Sequence, residues 1–260
     1  MFFNCIGTKR ALAAKIIELF PKHDCYIEPC FRSGAVFFAK PLTANNILND
    51  IDSEVFNLWN VFFNRKEDLI QLVQNTPIHH LIFQALRKQQ KDELWQAFAF
   101  LYLSTYGFMS DHQTIRLKTQ ANTKKNLIEK MRATAEFLLQ CNDLQFQNKD
   151  IRLFFDTFQI RNADTCFAYV DPPYINTNNN YNAPAWGGND LCETIEKMNS
   201  KGIKYMISEF DSEPVLDIAK AYKLNTYTIG ERKNLRNRRT EIVLCNYIPA
   251  IYSNQLKIDF

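Results

Sequence analysis

Apolar residues fall along this chain in two rhythms, and the switches between them outline its elements. Leu12, Ile16, Ile17 and Phe20 recur at helical spacing behind Gly7-Thr8-Lys9-Arg10 and predict a helix that Pro21 stops. The continuous run Cys25-Tyr26-Ile27 predicts a strand that ends in Glu28-Pro29-Cys30-Phe31-Arg32-Ser33-Gly34, and Ala35 to Lys40 predicts a further helix. Asn46-Ile47-Leu48-Asn49-Asp50 is a second short apolar run that ends in an acid, before Ile51-Asp52 leads into a helix. Strand, small-residue turn and helix is how doubly wound folds approach a nucleotide-like ligand, and Asp50 stands about twenty residues on, where they place a ribose-binding acid. Asp50 suits a helix cap equally well.

From Glu54 to about Leu144 the period is almost wholly helical. Val55, Leu58, Trp59 and Phe62 make one stripe, Leu94, Phe98, Leu101 and Tyr102 a second, and Ile128, Met131, Ala135, Phe137 and Leu138 a third. These stripes read as core. Strand patterns resume at Leu144 to Asp150, Phe167 to Val170, Gly202 to Ser208, Leu224 to Ile229 and Glu241 to Tyr247. Helices over Leu191 to Asn199 and Val215 to Ala221 separate them. The alternation predicts an α/β domain, and the helical block looks like an insert within it.

Composition refines this picture. The 260 residues suit one large domain with a smaller insert, and 46% hydrophobic content excludes a disordered chain. A net charge of +3 does not announce a polyanionic partner, so local clusters matter more. One is the polar, amide-rich stretch from Asp111 to Asn126, with Gln113, Arg116, Lys118, Gln120, Asn122, Lys124 and Lys125; its Arg and Lys can meet phosphates and its amides base edges. The other is Arg232 to Arg239, a basic hairpin tip suited to a polyanion. Each suits a solvated loop as well. Seven cysteines, an odd number with no C-x-x-C, read as free thiols in a reducing compartment. His79-His80 has no partner at ligand spacing, so no metal site is expected. The start, Met1-Phe2-Phe3-Asn4-Cys5, lacks a charged leader and no apolar run could span a bilayer, which predicts a cytoplasmic protein.

The chemistry concentrates at Asp171-Pro172-Pro173-Tyr174, between the buried run Cys166 to Val170 and the Asn-rich segment Ile175 to Asn182. Two prolines stiffen the backbone and leave its carbonyls pointing outward. The Asp171 carboxylate and Pro172 carbonyl can accept the two protons of an aryl amine, which draws the nitrogen lone pair out of conjugation. The carboxylate also stabilises positive charge that develops on that nitrogen. Tyr174 can stack on a base, a contact worth about 1–3 kcal/mol in nucleic-acid complexes. Taken alone, the run also suits an ordinary turn.

Taken in order, these residues resemble Dam-type DNA adenine-N6 methyltransferases, and the likeness covers most of the chain. It implies a Rossmann-like class I methyltransferase sheet, mostly parallel with one antiparallel strand near the C-terminus, and an inserted helical target-recognition domain. Residues 1–56 and 145–260 would form the catalytic domain and 57–144 the insert. Gly7 and Lys9 look like the family's glycine–lysine element for S-adenosylmethionine. Glu28, Pro29, Cys30, Phe31, Arg32, Ser33 and Gly34 resemble its methionine-binding turn. Asp50, with Ile51, is similar to the ribose acid, and Asp150-Ile151 to the pair beside the cofactor adenine. Asp171, Pro172 and Tyr174 match the catalytic motif, with Asp171 bordering the cofactor, and Tyr181-Asn182 continues it. Thr240 to Tyr247 resembles the last strands.

The resemblance implies an enzyme that flips an adenine from double-stranded DNA, at a cost of a few kcal/mol, and methylates its N6. Arg116, Lys118, Lys124, Lys125, Arg236, Arg238 and Arg239 would bind the DNA, and a restriction endonuclease counterpart is compatible with such an enzyme. Two residues depart from the pattern. Arg32 stands where the family has glycine; at positive φ its β-carbon costs about 1–2 kcal/mol. Its side chain could fill cofactor space or meet the cofactor carboxylate. Glu209 stands where asparagine is frequent. A DNA-binding pseudoenzyme blocked by Arg32, and an RNA adenine methyltransferase, are the alternatives.

Overall fold

In the computed structural model, residues 1–3, 7–88, 92–108, 112–116, 123–177, 184–233 and 238–253 are described. The chain runs α1 (Ala13–Glu18), β1 (Cys25–Glu28), β2 (Asn45–Asn49), α2 (Ser53–Asn75), α3 (His80–Leu86), α4 (Glu93–Tyr106) and α5 (Thr123–Leu139). It continues through β3 (Asp143–Gln147), α6 (Ile151–Phe154), β4 (Cys166–Val170), α7 (Gly188–Ser200), β5 (Lys204–Phe210), α8 (Glu213–Ala221), β6 (Asn225–Lys233), β7 (Arg238–Cys245) and α9 (Ala250–Ser253).

The strands form one sheet in the order β3-β2-β1-β4-β5-β7-β6. β3, β2, β1, β4 and β5 pair in parallel, and β7 enters antiparallel between β5 and β6. The expected mixed topology is therefore present. β4 is buried along its whole length, as a strand covered on both faces must be.

Period-two alternation divides the side chains between two layers. Tyr26, Phe167, Tyr169, Met206, Val243 and Cys245 pack with α1, α2, α4 and α5. Ile27, Ala168, Val170, Tyr205, Ile207, Ile242 and Leu244 pack with α6, α7 and α8. The same parity assigns polar residues to a face. Glu28 follows Tyr26 by two, so both share the first layer and the Tyr26 hydroxyl donates to Glu28 Oε2 at 2.8 Å. Glu241 shares that layer through Val243, whereas Glu209 belongs with Ile207 to the second.

The helical block lies between β2 and β3, and its first two stripes are buried where expected, Leu94 excepted, which is half-buried. In the third only Met131 is fully buried; Ile128, Ala135, Phe137 and Leu138 pack against the core as half-buried residues. α2 starts with Asp52 accepting the Glu54 N–H at 3.0 Å and kinks at Arg65, where φ is −139° and ψ is 36°. Its Trp59 is wholly buried among Phe2, Phe3, Phe31, Phe38 and Phe62. This aromatic cluster joins the helical block to the turn after β1.

Two expected helices differ. α1 begins at Ala13 rather than at Gly7, whose φ of 85° makes a turn. Residues 35–40 form successive turns rather than a helix. Apolar residues fill Ala35 to Phe38 without helical spacing, and Lys40 folds back to Pro41 O at 3.0 Å and Thr43 Oγ1 at 2.8 Å. All the cysteines among the described residues are free thiols. No described helix is long and apolar enough to cross a membrane, and no metal-binding cluster occurs among the described residues.

Candidate active site at the carboxyl edge of the sheet

The chain turns outward to β2 and β3 on one side of β1 and to β4 and β5 on the other. The gap between β1 and β4 is thus the point where the strand order reverses and where open α/β sheets bind ligands. A cleft opens there, lined by Gly7, Thr8, Lys9, Glu28, Cys30, Phe31, Arg32, Ser33, Ala35, Val36, Tyr169 and Asp171. Eight of the sequence-predicted site residues are among them: Gly7, Lys9, Glu28, Cys30, Phe31, Arg32, Ser33 and Asp171.

The turn after β1 is held by its backbone. Asn49, fully buried, donates to Pro29 O at 2.9 Å and to Lys149 O at 2.9 Å, and accepts the Lys149 N–H at 2.9 Å. The turns after β1 and β3 are thereby tied together. Arg32 does occupy the left-handed region, with φ of 45°. Its N–H donates to Asp50 Oδ2 at 2.6 Å and its carbonyl accepts from Trp59 Nε1 at 2.7 Å. Gly34 has φ of 67°, and a β-carbon there would lie 2.5 Å from the Phe31 ring.

Asp50 also accepts the Asp52 N–H at 2.9 Å, so it braces the turn while Asp52 caps α2. Burial pushes the Asp50 carboxyl up to about 6, against the pull of Arg32. Asp150 lies at the same edge beyond β3, where it caps α6 and is gripped by the Arg152 guanidinium, which holds its carboxyl below the ordinary range. Ile51 is half-buried and Ile151 is core; neither lines the cleft, and nor do Pro29, Gly34, Asp50 and Asp150.

Lys9 organises the other wall. Its side chain is 5% exposed, and its ammonium lies 2.9 Å from Asp171 Oδ1 and 3.8 Å from Glu241 Oε2. It also donates to the Tyr174 hydroxyl and lies 4.6 Å from the centre of that ring. Tyr174 is buried edge-on against Phe210, centroids 4.6 Å apart, and Arg239 lies over Phe210 at 5.1 Å. Pro172 is buried. Glu209 secures the loop from the opposite face: Oε1 accepts the Ile175 N–H at 3.0 Å and Oε2 the Phe210 N–H at 3.0 Å. Sequence reasoning missed Glu241 as a site residue, and flagged Glu209 only as a departure. A lone acid opening the apolar run Ile242 to Cys245 was the available signal for Glu241.

Three buried carboxyls are displaced upward by desolvation: Asp50 to about 6, Glu209 to about 7 and Glu28 to about 8. A folded state that binds protons more tightly than the unfolded chain loses stability as pH rises between the two values. The Met1 amine, lowered to about 6, acts in the opposite sense only above that pH. Stability should therefore fall between about pH 5 and pH 7 by on the order of a few kcal/mol, and the thermal midpoint should fall with it. Glu28→Gln, which keeps an acceptor for Tyr26, should flatten this slope in melts across that range.

The predicted DNA contacts divide. Arg239 is exposed beside Phe210. Arg116 is exposed, with Nε on Gly107 O at 2.8 Å; Lys124 donates to Gln74 O at 3.2 Å; Lys125 pairs with Glu129 at 3.9 Å. Arg238 opens β7 opposite Lys233. Lys118, Gln120, Asn122, Tyr181, Asn182 and Arg236 lie outside the described residues.

Residues 6–237 match the family model described as D12 class N6 adenine-specific DNA methyltransferase. A Type II methyltransferase of Lactococcus lactis subsp. cremoris is 25% identical over 272 residues, 95% of either chain. The DNA adenine methylase of Escherichia coli is 23% identical over 278 residues, covering 97% of this chain and 96% of that one. That of Haemophilus influenzae is 25% identical over 239 residues, 82% of this chain and 80% of its own.

Proposed function

Because the chain belongs to the D12 class of N6 adenine-specific DNA methyltransferases, we propose that Asp171, Pro172 and Tyr174 hold the adenine it methylates. The enzyme takes its methyl group from S-adenosylmethionine, which when bound supplies that group as an electrophile. The observation that carries the assignment is that Asp171 Oδ1 already holds an amine nitrogen, Lys9 Nζ, at 2.9 Å, with Tyr174 against the same atom. An adenine amine brought there donates to Asp171 and to the Pro172 carbonyl. As positive charge grows on its nitrogen, the Asp171 carboxylate stabilises it.

The cleft suits the cofactor's chemistry. Glu28 and Asp171 line it, and a sulfonium cation brought near Glu28 favours the charged form that burial opposes. In this reading Gly7, Glu28, Cys30, Phe31, Arg32, Ser33 and Gly34 hold the methionine part. Asp50 and Ile51 meet the ribose, and Asp150 and Ile151 flank the adenine. Residues 57–144 serve as the recognition unit. Arg116, Lys124, Lys125, Arg238 and Arg239, with Lys118 and Arg236, meet the DNA. The likeness to a Type II methyltransferase supports a counterpart endonuclease. Action on cellular DNA fits a cytoplasmic enzyme.

In this reading Arg32, which lines the cleft, serves as a cation for the cofactor carboxylate rather than as an obstruction. Arg32→Gly should gain about 1 kcal/mol of stability by relieving positive φ, since the bonds to Asp50 and Trp59 use backbone atoms. The same variant should bind S-adenosylmethionine about tenfold more weakly through loss of a charge-assisted contact. Calorimetric titration with the cofactor, beside thermal melts, reads both signs; tighter binding by the variant would mean that Arg32 obstructs the cleft. The function itself is tested by methyl transfer to duplex DNA and to structured RNA. N6-methyladenine in the digested duplex is expected, and transfer to RNA alone would overturn the reading.

A further inference from the structure

Lys9 stands in the target's place. Its nitrogen lies 2.9 Å from Asp171 Oδ1, the atom read above as the acceptor for the adenine amine, and it bonds the Tyr174 hydroxyl. It lines the same cleft as Glu28, Cys30 and Ser33. A cofactor positioned to deliver a methyl group to an amine on Asp171 is, by the same geometry, positioned to deliver it to this one. We propose that Lys9 is a second methyl acceptor, and that the enzyme slowly methylates its own Lys9 when no DNA is bound. The inference rests on the reading of Asp171 given above.

The step balances without a further reagent. The Lys9 ammonium first gives a proton through Asp171 to solvent. The freed lone pair then forms an N–C bond to the methyl carbon as the C–S bond breaks and its electron pair passes to sulfur. A neutral amine and a sulfonium become a methylated ammonium and a neutral thioether. Asp171 and Glu241 both face the Lys9 ammonium, and an ammonium is not a nucleophile, which keeps the reaction slow. DNA suppresses it by competition. An adenine amine that takes Asp171 Oδ1 displaces Lys9, and Glu241, 3.8 Å away, can receive the ammonium.

The test incubates the full-length protein with S-adenosylmethionine, with and without duplex DNA, and follows intact mass and the tryptic map. One methyl group should appear on Lys9 without DNA. Excess duplex should suppress it at least tenfold. A second readout needs no cofactor. Reductive methylation with formaldehyde should label exposed Lys15 well before buried Lys9, and Asp171→Asn should speed the labelling of Lys9 alone. An unmodified Lys9 in a preparation that methylates DNA would overturn the inference and spare the reading of Asp171. Methylation of neither Lys9 nor DNA would sink both.

Discussion

Asp171→Ala should lose methyl transfer to duplex DNA by about a thousandfold or more, the scale seen when a preorganised group that stabilises transition-state charge is removed. The loss should appear in kcat, because the carboxylate acts mainly on charge that develops during the reaction. Cofactor binding should survive, since Glu28, Cys30, Phe31, Arg32 and Ser33 remain in the cleft. The alanine variant also strips Lys9 of its 2.9 Å partner, and breaking a buried pair can cost about 3–5 kcal/mol. Asp171→Asn keeps an acceptor for Lys9 and separates the two effects. It should fold nearly as well as the native chain and remain inactive. Methylation by either variant within about tenfold of native would remove Asp171 from the chemistry.

The largest structural effect is expected at Trp59. Trp59→Ala should cost about 3–5 kcal/mol, the range for deleting a wholly buried aromatic side chain. The damage reaches the cleft, because Trp59 Nε1 holds the Arg32 carbonyl at 2.7 Å and its ring backs Phe31 and Phe38. Trp59→Phe isolates that hydrogen bond. It should cost about 1 kcal/mol in a denaturant titration and weaken cofactor binding measurably. Unchanged affinity in the phenylalanine variant would show that the turn after β1 does not need this support.

Much of this is legible in the sequence. The runs ending at Ile27 and Val170 are apolar without interruption, and each became a central strand of the sheet, β4 buried throughout and β1 buried except at Cys25. The motif at Asp171 was legible because its residue types are scarce in combination. Positive φ at Arg32 was legible only as a condition, from the glycine that the family has at that position. What stayed hidden depends on long-range contact. α3 buries only Phe83 and Leu86, too few to print a period. Residues 35–40 look helical, yet the aromatic cluster and the side chain of Lys40 pull them into turns. Glu241 has no local mark of function; it acquires one because the amino-terminal segment brings Lys9 across to β7.

That assembly sets when the enzyme can first act during its synthesis. Lys9, Asp171 and Glu241 come from the opening, the middle and the final strand of the sheet. β6 is made before β7 but, among the described residues, pairs only with β7, while β5 has one edge open until β7 arrives. A chain still on the ribosome therefore lacks both the last carboxylate and a closed sheet. Contacts of such high sequence separation form late and slowly. The nascent protein should stay inert toward DNA until β7 has left the exit tunnel.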